Sequence, residues 1–287
     1  MKCIYHNDMD GRCSGSIVAY FANDYNPDNF IEADYSAFPI DKISPNDIVY
    51  IVDYSFTTNT VHNLHKLINE LHCDVVWIDH HTSSMELSSK SEYAWLNDIP
   101  GIRSEKLSGA GLTYCYFMHT ALVPELLPRY IAYVDDYDRW VYRLGDATTA
   151  FKLGIETVPY DALDSIWKSL WRLDDKCDEL LAVGEIIKNY IDKTNAIYLK
   201  NYGFPSTIAG ISCFVVNKRS NSWIFGDKIH EYPLVATVVF DGEWFLYSLY
   251  SESEDIDCSK IAESYGGGGH KGAAGFRSKQ LIFARTM

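Results

Sequence analysis

An α/β fold, with a parallel-sheet domain first and a smaller mixed α/β domain after it, is what this 287-residue sequence predicts. Three observations carry that expectation. Short apolar strands alternate with helical stretches in the first part of the chain. Acidic and histidine residues stand directly behind those strands. After about residue 203 the pattern changes to β-rich runs broken by glycine turns.

Lys2 to Tyr5 is the first strand signal, and it runs into a polar turn, His6 to Gly11. Ser14 to Ala22 reads as a helix with small residues along one side. Phe30 to Tyr35 gives a second strand and Asp47 to Val52 a stronger one. Val61, Leu64, Ile68 and Leu71 recur at helical spacing. Asp74 to Ile78 is the next buried strand. Continuous apolar strands in this β-α-β rhythm imply parallel pairing with both faces covered. From Ser108 to Tyr142 the pattern is helical, and it is helical again from Asp161 to Lys200, with Leu180, Ile187 and Ile191 on one face. That last stretch, rich in charge, suits a long connecting helix. Ile211 to Val216, Leu234 to Phe240 and Trp244 to Tyr250 are strands, the last two joined by an Asp241-Gly242 turn. Asp257 to Tyr265 reads as a short helix before Gly266 to Gly269. The expected domains are residues 1–190 and 205–287.

The composition, 47% apolar and 22% charged, is that of a folded protein. The formal charge of −14 argues against a protein that coats long duplex DNA, which requires a basic surface. No apolar run approaches the ~20 residues of a membrane span, and no signal pattern opens the chain. Seven cysteines (3, 13, 73, 115, 177, 213 and 258) show no paired spacing. They read as core-packed thiols of a reducing, cytoplasmic environment.

Candidate chemistry lies at the strand ends. In an open parallel sheet the carboxyl ends of the strands share one rim, where ligands bind. His6, Asp8 and Asp10 follow the first strand, Asp53 follows the Ile48 to Val52 run, and Asp79, His80 and His81 follow Asp74 to Ile78. A single aspartate behind a strand is more often the cap of the next helix. Three such segments converging are not explained that way. So many carboxylates in one small volume repel one another, and divalent ions remove the conflict. Oxygen and imidazole donors suit Mn²⁺, and also Mg²⁺, Fe²⁺, Co²⁺ or Zn²⁺.

Glycine runs let a backbone approach phosphate and offer N–H donors to it. Read alone, Gly266 to Gly269 is more often a flexible loop. With His270 beside it and the small residues after Lys271, a phosphate or nucleotide cradle built from Gly267, Gly268, Gly269, His270 and Lys271 is the expectation.

These residues resemble the DHH phosphoesterases, in the branch with a C-terminal DHHA1 domain (oligoribonuclease or nanoRNase-like). His6-x-Asp8-x-Asp10-Gly11 is similar to the first family motif, Asp53 to the second, and Asp79-His80-His81 to the motif that names the family. Asp136, within Tyr133 to Trp140, is similar to the fourth, with Asp135 and Asp138 as competing candidates. Gly266 to Phe276 matches the DHHA1 signature, and Ser108-Gly109-Ala110 opening a helix is frequent in this branch. One departure is Ser248-Leu249-Tyr250-Ser251, where many relatives read Ser-Leu-Arg-Ser. Tyr250 then either packs on the sheet or stacks on a base, while Lys218, Arg219 or Lys271 would supply the missing charge.

The resemblance implies two divalent ions, usually Mn²⁺. His6 and Asp8 would hold one, Asp10, His80 and Asp136 the other, and Asp53 would bridge them. Asp79 would orient an imidazole or a water, and His81 would contact the substrate phosphate and protonate the leaving oxygen. The implied activity is hydrolysis of short oligonucleotides to mononucleotides by two-metal activation of water. Alternatives of the same chemistry are linear or cyclic dinucleotides and 3′-phosphoadenosine 5′-phosphate. An alternative of another class is a nucleotide-binding regulatory protein without turnover. The expected partner is a short oligonucleotide or dinucleotide, with no long duplex DNA and no membrane, bound by a monomer or homodimer.

Overall fold

A computed structural model describes residues 1–34 and 37–285 and divides into two compact units, Met1–Lys188 and Asn189–Met287. The first unit runs β1 (Lys2–His6), α1 (Met9–Ala22), β2 (Phe30–Ala33), β3 (Ile48–Val52), α2 (His62–Asn69), β4 (Asp74–Ile78), α3 (Thr82–Ser89), α4 (Gly109–Met118), α5 (Arg129–Asp138), α6 (Asp146–Ile155) and α7 (Ser165–Arg172). The 29-residue α8 (Asp174–Tyr202) carries the chain from this unit into the next. The division falls inside that helix rather than in a loop. Tyr35, the expected end of the second strand, lies outside the described residues.

Four parallel strands in the order β2-β1-β3-β4 form the first sheet. Alternate residues of each strand enter different cores, as the two-residue period of a strand requires. Cys3, Tyr5, Val52 and Ile78 join a core with α1, α4, α5 and α6. Ile4, Ile51 and Trp77 join another with Leu64 and Leu67 of α2. Both faces are therefore buried, which explains why these strands are apolar throughout.

The sequence places the start of the first helix too late. The polar stretch after β1 is not an open turn. Asp8 caps α1 by accepting from the Gly11 amide at 2.9 Å, so Met9, Asp10 and Gly11 are already helical. Asp8 thus turns the chain from strand to helix. The structure also contains α6, which the sequence pattern does not announce. Its Ala150, Phe151 and Ile155 pack in the first core.

The second unit adds β5 (Gly203–Ile208), β6 (Ile211–Asn217), α9 (Lys228–Glu231), β7 (Leu234–Phe240), β8 (Phe245–Tyr250), α10 (Cys258–Ser264), β9 (Gly268–Gly269), β10 (Ala273–Ser278) and β11 (Ala284–Arg285). Its sheet, in the order β11-β5-β6-β7-β8-β10-β9, is antiparallel except for the β6–β7 pair. The β7–β8 connection is a four-residue loop in which Asp241 Oδ1 accepts from the Glu243 and Trp244 amides and Gly242 takes φ +104°. All seven cysteines are buried and unpaired. No helix among the described residues is long and apolar enough to cross a membrane.

Candidate metal centre

The adjacent carboxyl ends of β1, β3 and β4 bring His6, Asp53 and Asp79 to one rim, and the turns behind them add Asp8, Asp10, His80 and His81. Asp53 takes a left-handed backbone, φ +53°. Its amide still donates to the Ile78 carbonyl at 2.9 Å. A non-glycine residue in this region marks strain held by its surroundings.

Asp10 is fixed from a distant segment. Ser108, the N-cap of α4, donates its hydroxyl to Asp10 Oδ1 at 2.7 Å, Ala110 N donates to the same oxygen at 3.0 Å, and Gly109 N donates to Oδ2 at 2.6 Å. A carboxylate at a helix N-terminus meets both orphan amides and the positive end of the dipole. Position 109 admits only glycine: a Cβ there would lie 2.5 Å from the Asp53 Cβ and 2.8 Å from Asp10 Oδ2.

Three groups of donor atoms result, each within 4.8 Å: His6, Asp8 and Asp53; Asp10, His80 and Asp138; and Asp53, His80 and His81. Asp53 belongs to two of them. His80 Nε2 lies 3.3 Å from Asp53 Oδ1, 3.2 Å from Asp138 Oδ2 and 3.9 Å from Asp10 Oδ2. His6 Nδ1 lies 2.8 Å from Asp8 Oδ2 and 4.0 Å from Asp53 Oδ2. Asp79 Oδ1 holds His81 Nδ1 at 2.7 Å.

The electrostatics of this cluster are unfavourable. Burial, then Asp10, Asp8, Asp138 and Asp79, push the Asp53 carboxyl well above its ordinary range. Burial, then Asp10 and Asp8, push Asp138 up to about 9. Burial also raises Asp10, against the charge of His80. Asp8 runs the other way: burial opposes ionisation, but hydrogen bonds from His6 and Gly11 outweigh it and lower the carboxyl. For His81, burial disfavours the charged ring, and the bond to Asp79 more than compensates.

Both Asp53 oxygens, Asp79 Oδ2 and Asp138 Oδ2 are buried without a hydrogen-bond partner. Orphaned buried carboxylate oxygens are costly and uncommon. A cation among them would relieve both the lost hydrogen bonds and the mutual repulsion. The donor set of carboxylate oxygens and imidazole nitrogens fits a hard or borderline divalent ion.

Asp136 stands apart from this cluster. Its carboxylate accepts from Arg143 N at 2.8 Å, from Leu144 N at 3.0 Å and from the Thr148 hydroxyl. Those bonds turn it toward α6, and Asp138 occupies the corresponding place beside His80. Asp135 accepts from Ser108 N at 2.6 Å and lies 3.4 Å from Arg139. Asp136→Ala is therefore expected to cost stability, about 3 kcal/mol or more, because it strands two amides that now have a charged acceptor. A urea denaturation midpoint within error of wild type would show that these bonds are dispensable.

The glycine run belongs to the other unit and is built into its own fold. Gly266 N and Gly267 N donate to Glu263 and Ala262 of α10, both at 2.9 Å, and His270 N donates to the Ala273 carbonyl at 2.8 Å. Gly268 and Gly269 form β9 against β10. Two amides expected to face a phosphate, those of Gly267 and His270, are thus spent closing a helix and a hairpin. A Cβ at Gly267 would sit 2.2 Å from the Gly275 carbonyl, so packing alone requires glycine there. His270 and Lys271 are exposed. Tyr250 packs: its ring faces Phe225 at 6.4 Å and its hydroxyl donates to the Ser220 carbonyl at 3.2 Å. Lys218 is engaged by Asn195 Oδ1 at 3.0 Å and by the Tyr198 ring, while Arg219 is exposed.

Among known proteins, "Uncharacterized protein R106" of Acanthamoeba polyphaga mimivirus is 26% identical over 245 residues, covering 82% of this chain and 54% of its own length. The chain thus spans about half of that relative. The crystal structure of RecJ in complex with Mn²⁺ from Thermus thermophilus aligns with 96% of this chain and 49% of its own, at 15% identity and a TM-score of 0.50. That likeness is one of fold. The pGpG-specific phosphodiesterase PggH from Vibrio cholerae covers 97% of this chain and 93% of its own, at 11% identity and a TM-score of 0.48. Residues 3–132, which carry every member of the cluster except Asp138, match the DHH family, N-terminal domain.

Proposed function

We infer that the first unit is the catalytic domain of a divalent-metal-dependent phosphodiesterase that cleaves short oligonucleotides to mononucleotides. The observation that carries this reading is Asp53: a fully buried carboxylate with two orphaned oxygens, between His6 and Asp8 on one side and His80, Asp10 and Asp138 on the other. The match of residues 3–132 supports it, as does the RecJ-like fold.

In this reading His6 and Asp8 would hold one ion, Asp10, His80 and Asp138 the other, with Asp53 available to both. Bound ions, preferably Mn²⁺, would supply an activated water and offset charge on the phosphoryl oxygens. The remaining chemistry is the chain's own. Asp79 fixes the His81 ring through Nδ1 and keeps it protonated to higher pH. In this reading the ring's Nε2 would donate to a phosphate oxygen or protonate the leaving alkoxide. Ser108, Gly109 and Ala110 hold Asp10 in place throughout. The second unit is the substrate-binding, DHHA1-like domain, with the exposed His270 and Lys271 as its phosphate contacts.

Purified protein incubated with Mn²⁺ and end-labelled di- to pentaribonucleotides is expected to release mononucleotides and to stall on long duplexes. Cyclic and linear dinucleotides and 3′-phosphoadenosine 5′-phosphate in the same panel rank the substrates. Tight ligand retention without cleavage, at any divalent ion, would replace the enzyme with a nucleotide-binding protein.

A further inference from the structure

The segment behind Asp138 is both strained and unusually well held. Trp140 and Tyr142 adopt left-handed backbones, φ +55° and +51°, which cost energy for residues of this size. Asp136 compensates. Its carbonyl accepts from Val141 N at 3.1 Å and Tyr142 N at 3.4 Å, and its carboxylate accepts from Arg143 N, Leu144 N and the Thr148 hydroxyl. Trp140 N donates to the Tyr137 carbonyl at 3.1 Å. Two residues of α5, chiefly the buried Asp136, therefore tie every position from 140 to 144 to the end of that helix.

What this scaffold presents is an indole in the open. Trp140 is 67% exposed, with Val141 at 50% beside it. The Tyr142 ring meets the indole edge-on at 6.2 Å and the Tyr137 ring at 6.2 Å. A tryptophan contributing to a core would be buried, and a loop needing only to turn would carry glycine or asparagine at two left-handed positions. Here strain is spent on holding a large flat ring two residues from Asp138, whose Oδ2 lies 3.2 Å from His80 Nε2.

We propose that Trp140, two residues beyond Asp138 on a backbone segment pinned by Asp136 and Tyr137, is a stacking platform for a nucleobase of the substrate. This rests on reading the cluster as a phosphodiesterase centre and assigns the substrate class: nucleotides whose phosphate is cleaved while an adjoining base lies on the indole. Stacking on an aromatic ring is tolerant of sequence, so the platform selects for the presence of a base rather than its identity. The hydrogen-bonded backbone beneath it reduces the ordering cost of binding.

The test compares a dinucleotide with an analogue in which both bases are replaced by hydrogen. Trp140→Asn removes the ring while suiting the left-handed backbone better than tryptophan does, so a folding defect is not expected. It should raise KM for the natural dinucleotide by about 5- to 150-fold, the range of base–aromatic stacking, and change kcat/KM for the base-free analogue by less than about 2-fold. Trp140→Phe should recover most of the loss. An equal fall on both substrates, or no fall on either, overturns the platform while leaving the hydrolase intact. If wild type cleaves neither, the phosphodiesterase reading fails by itself. A dinucleotide containing 2-aminopurine, mixed with wild-type protein and Mn²⁺, then decides the platform: quenching lost in Trp140→Asn upholds it, and no quenching overturns it.

Discussion

Asp53→Asn is expected to lower kcat for oligonucleotide cleavage by about 10³-fold or more while raising the melting temperature of the metal-free protein. The two halves have one cause. The Asp53 carboxylate is buried among Asp8, Asp10, Asp79 and Asp138, and neither oxygen has a hydrogen-bond partner. Without metal it is a liability, held well above its ordinary range by burial and by the carboxylates around it. An amide of the same shape removes the charge, and asparagine is among the residues most tolerant of the left-handed φ found at this position. The folded metal-free state should therefore gain. The function should not survive, because an amide oxygen is a poor bridging ligand and charge stabilisation by bound ions is worth several kcal/mol, each ~1.4 kcal/mol being tenfold in rate. Sites that trade stability for chemistry behave this way. Calorimetric titration with Mn²⁺ should show weakened uptake of both ions, and unchanged turnover would remove Asp53 from the centre.

Much of the cluster was legible because strand ends are a one-dimensional signal. His6, Asp53 and Asp79 each terminate or directly follow an apolar run, and parallel strands bring such positions to one rim whatever the rest of the chain does. The choice among Asp135, Asp136 and Asp138 was not legible. They share the last turns of α5, where direction around the helix decides what each one meets. Asp135 and Asp138, three apart, lie on one face, toward Ser108 and His80. Asp136 is turned away to Thr148 and the amides of 143 and 144. Its partners sit on α6 and the strained loop before it, neither of which apolar periodicity announces. The glycine run is ambiguous for a related reason. Its composition suits a phosphate cradle, but whether an amide is available depends on tertiary partners, here Ala262, Glu263 and Ala273. The left-handed backbone of Trp140 is equally hidden, since backbone φ leaves no mark in composition.

Divalent metal should stabilise this protein by an amount that grows with pH. Asp10, Asp53 and Asp138 all have carboxyls raised above the ordinary value of 3.8, Asp138 to about 9. A raised acid holds its proton in the folded state where the unfolded chain has released it. Stability from these groups is therefore full below pH ~4 and falls as pH rises toward about 9. His81, also raised, contributes below its ordinary 6.5 and loses that contribution as pH climbs through its folded value. Asp8 acts oppositely, but its lowered carboxyl matters only in acid, below 3.8. Near neutrality and above, then, the metal-free fold weakens with every proton the cluster gives up. A divalent ion takes the place of those protons, so its binding releases them and tightens with pH. At a concentration ~1,000 times its dissociation constant it adds ~4 kcal/mol, or roughly 10 °C for a domain of this size. The expected result is a small shift in melting temperature on adding Mn²⁺ at pH ~5 and a shift of about that size at pH ~8, abolished by Asp53→Asn and preserved in Trp140→Asn. A shift independent of pH would mean that the ion binds elsewhere, at ligands that do not titrate in this range.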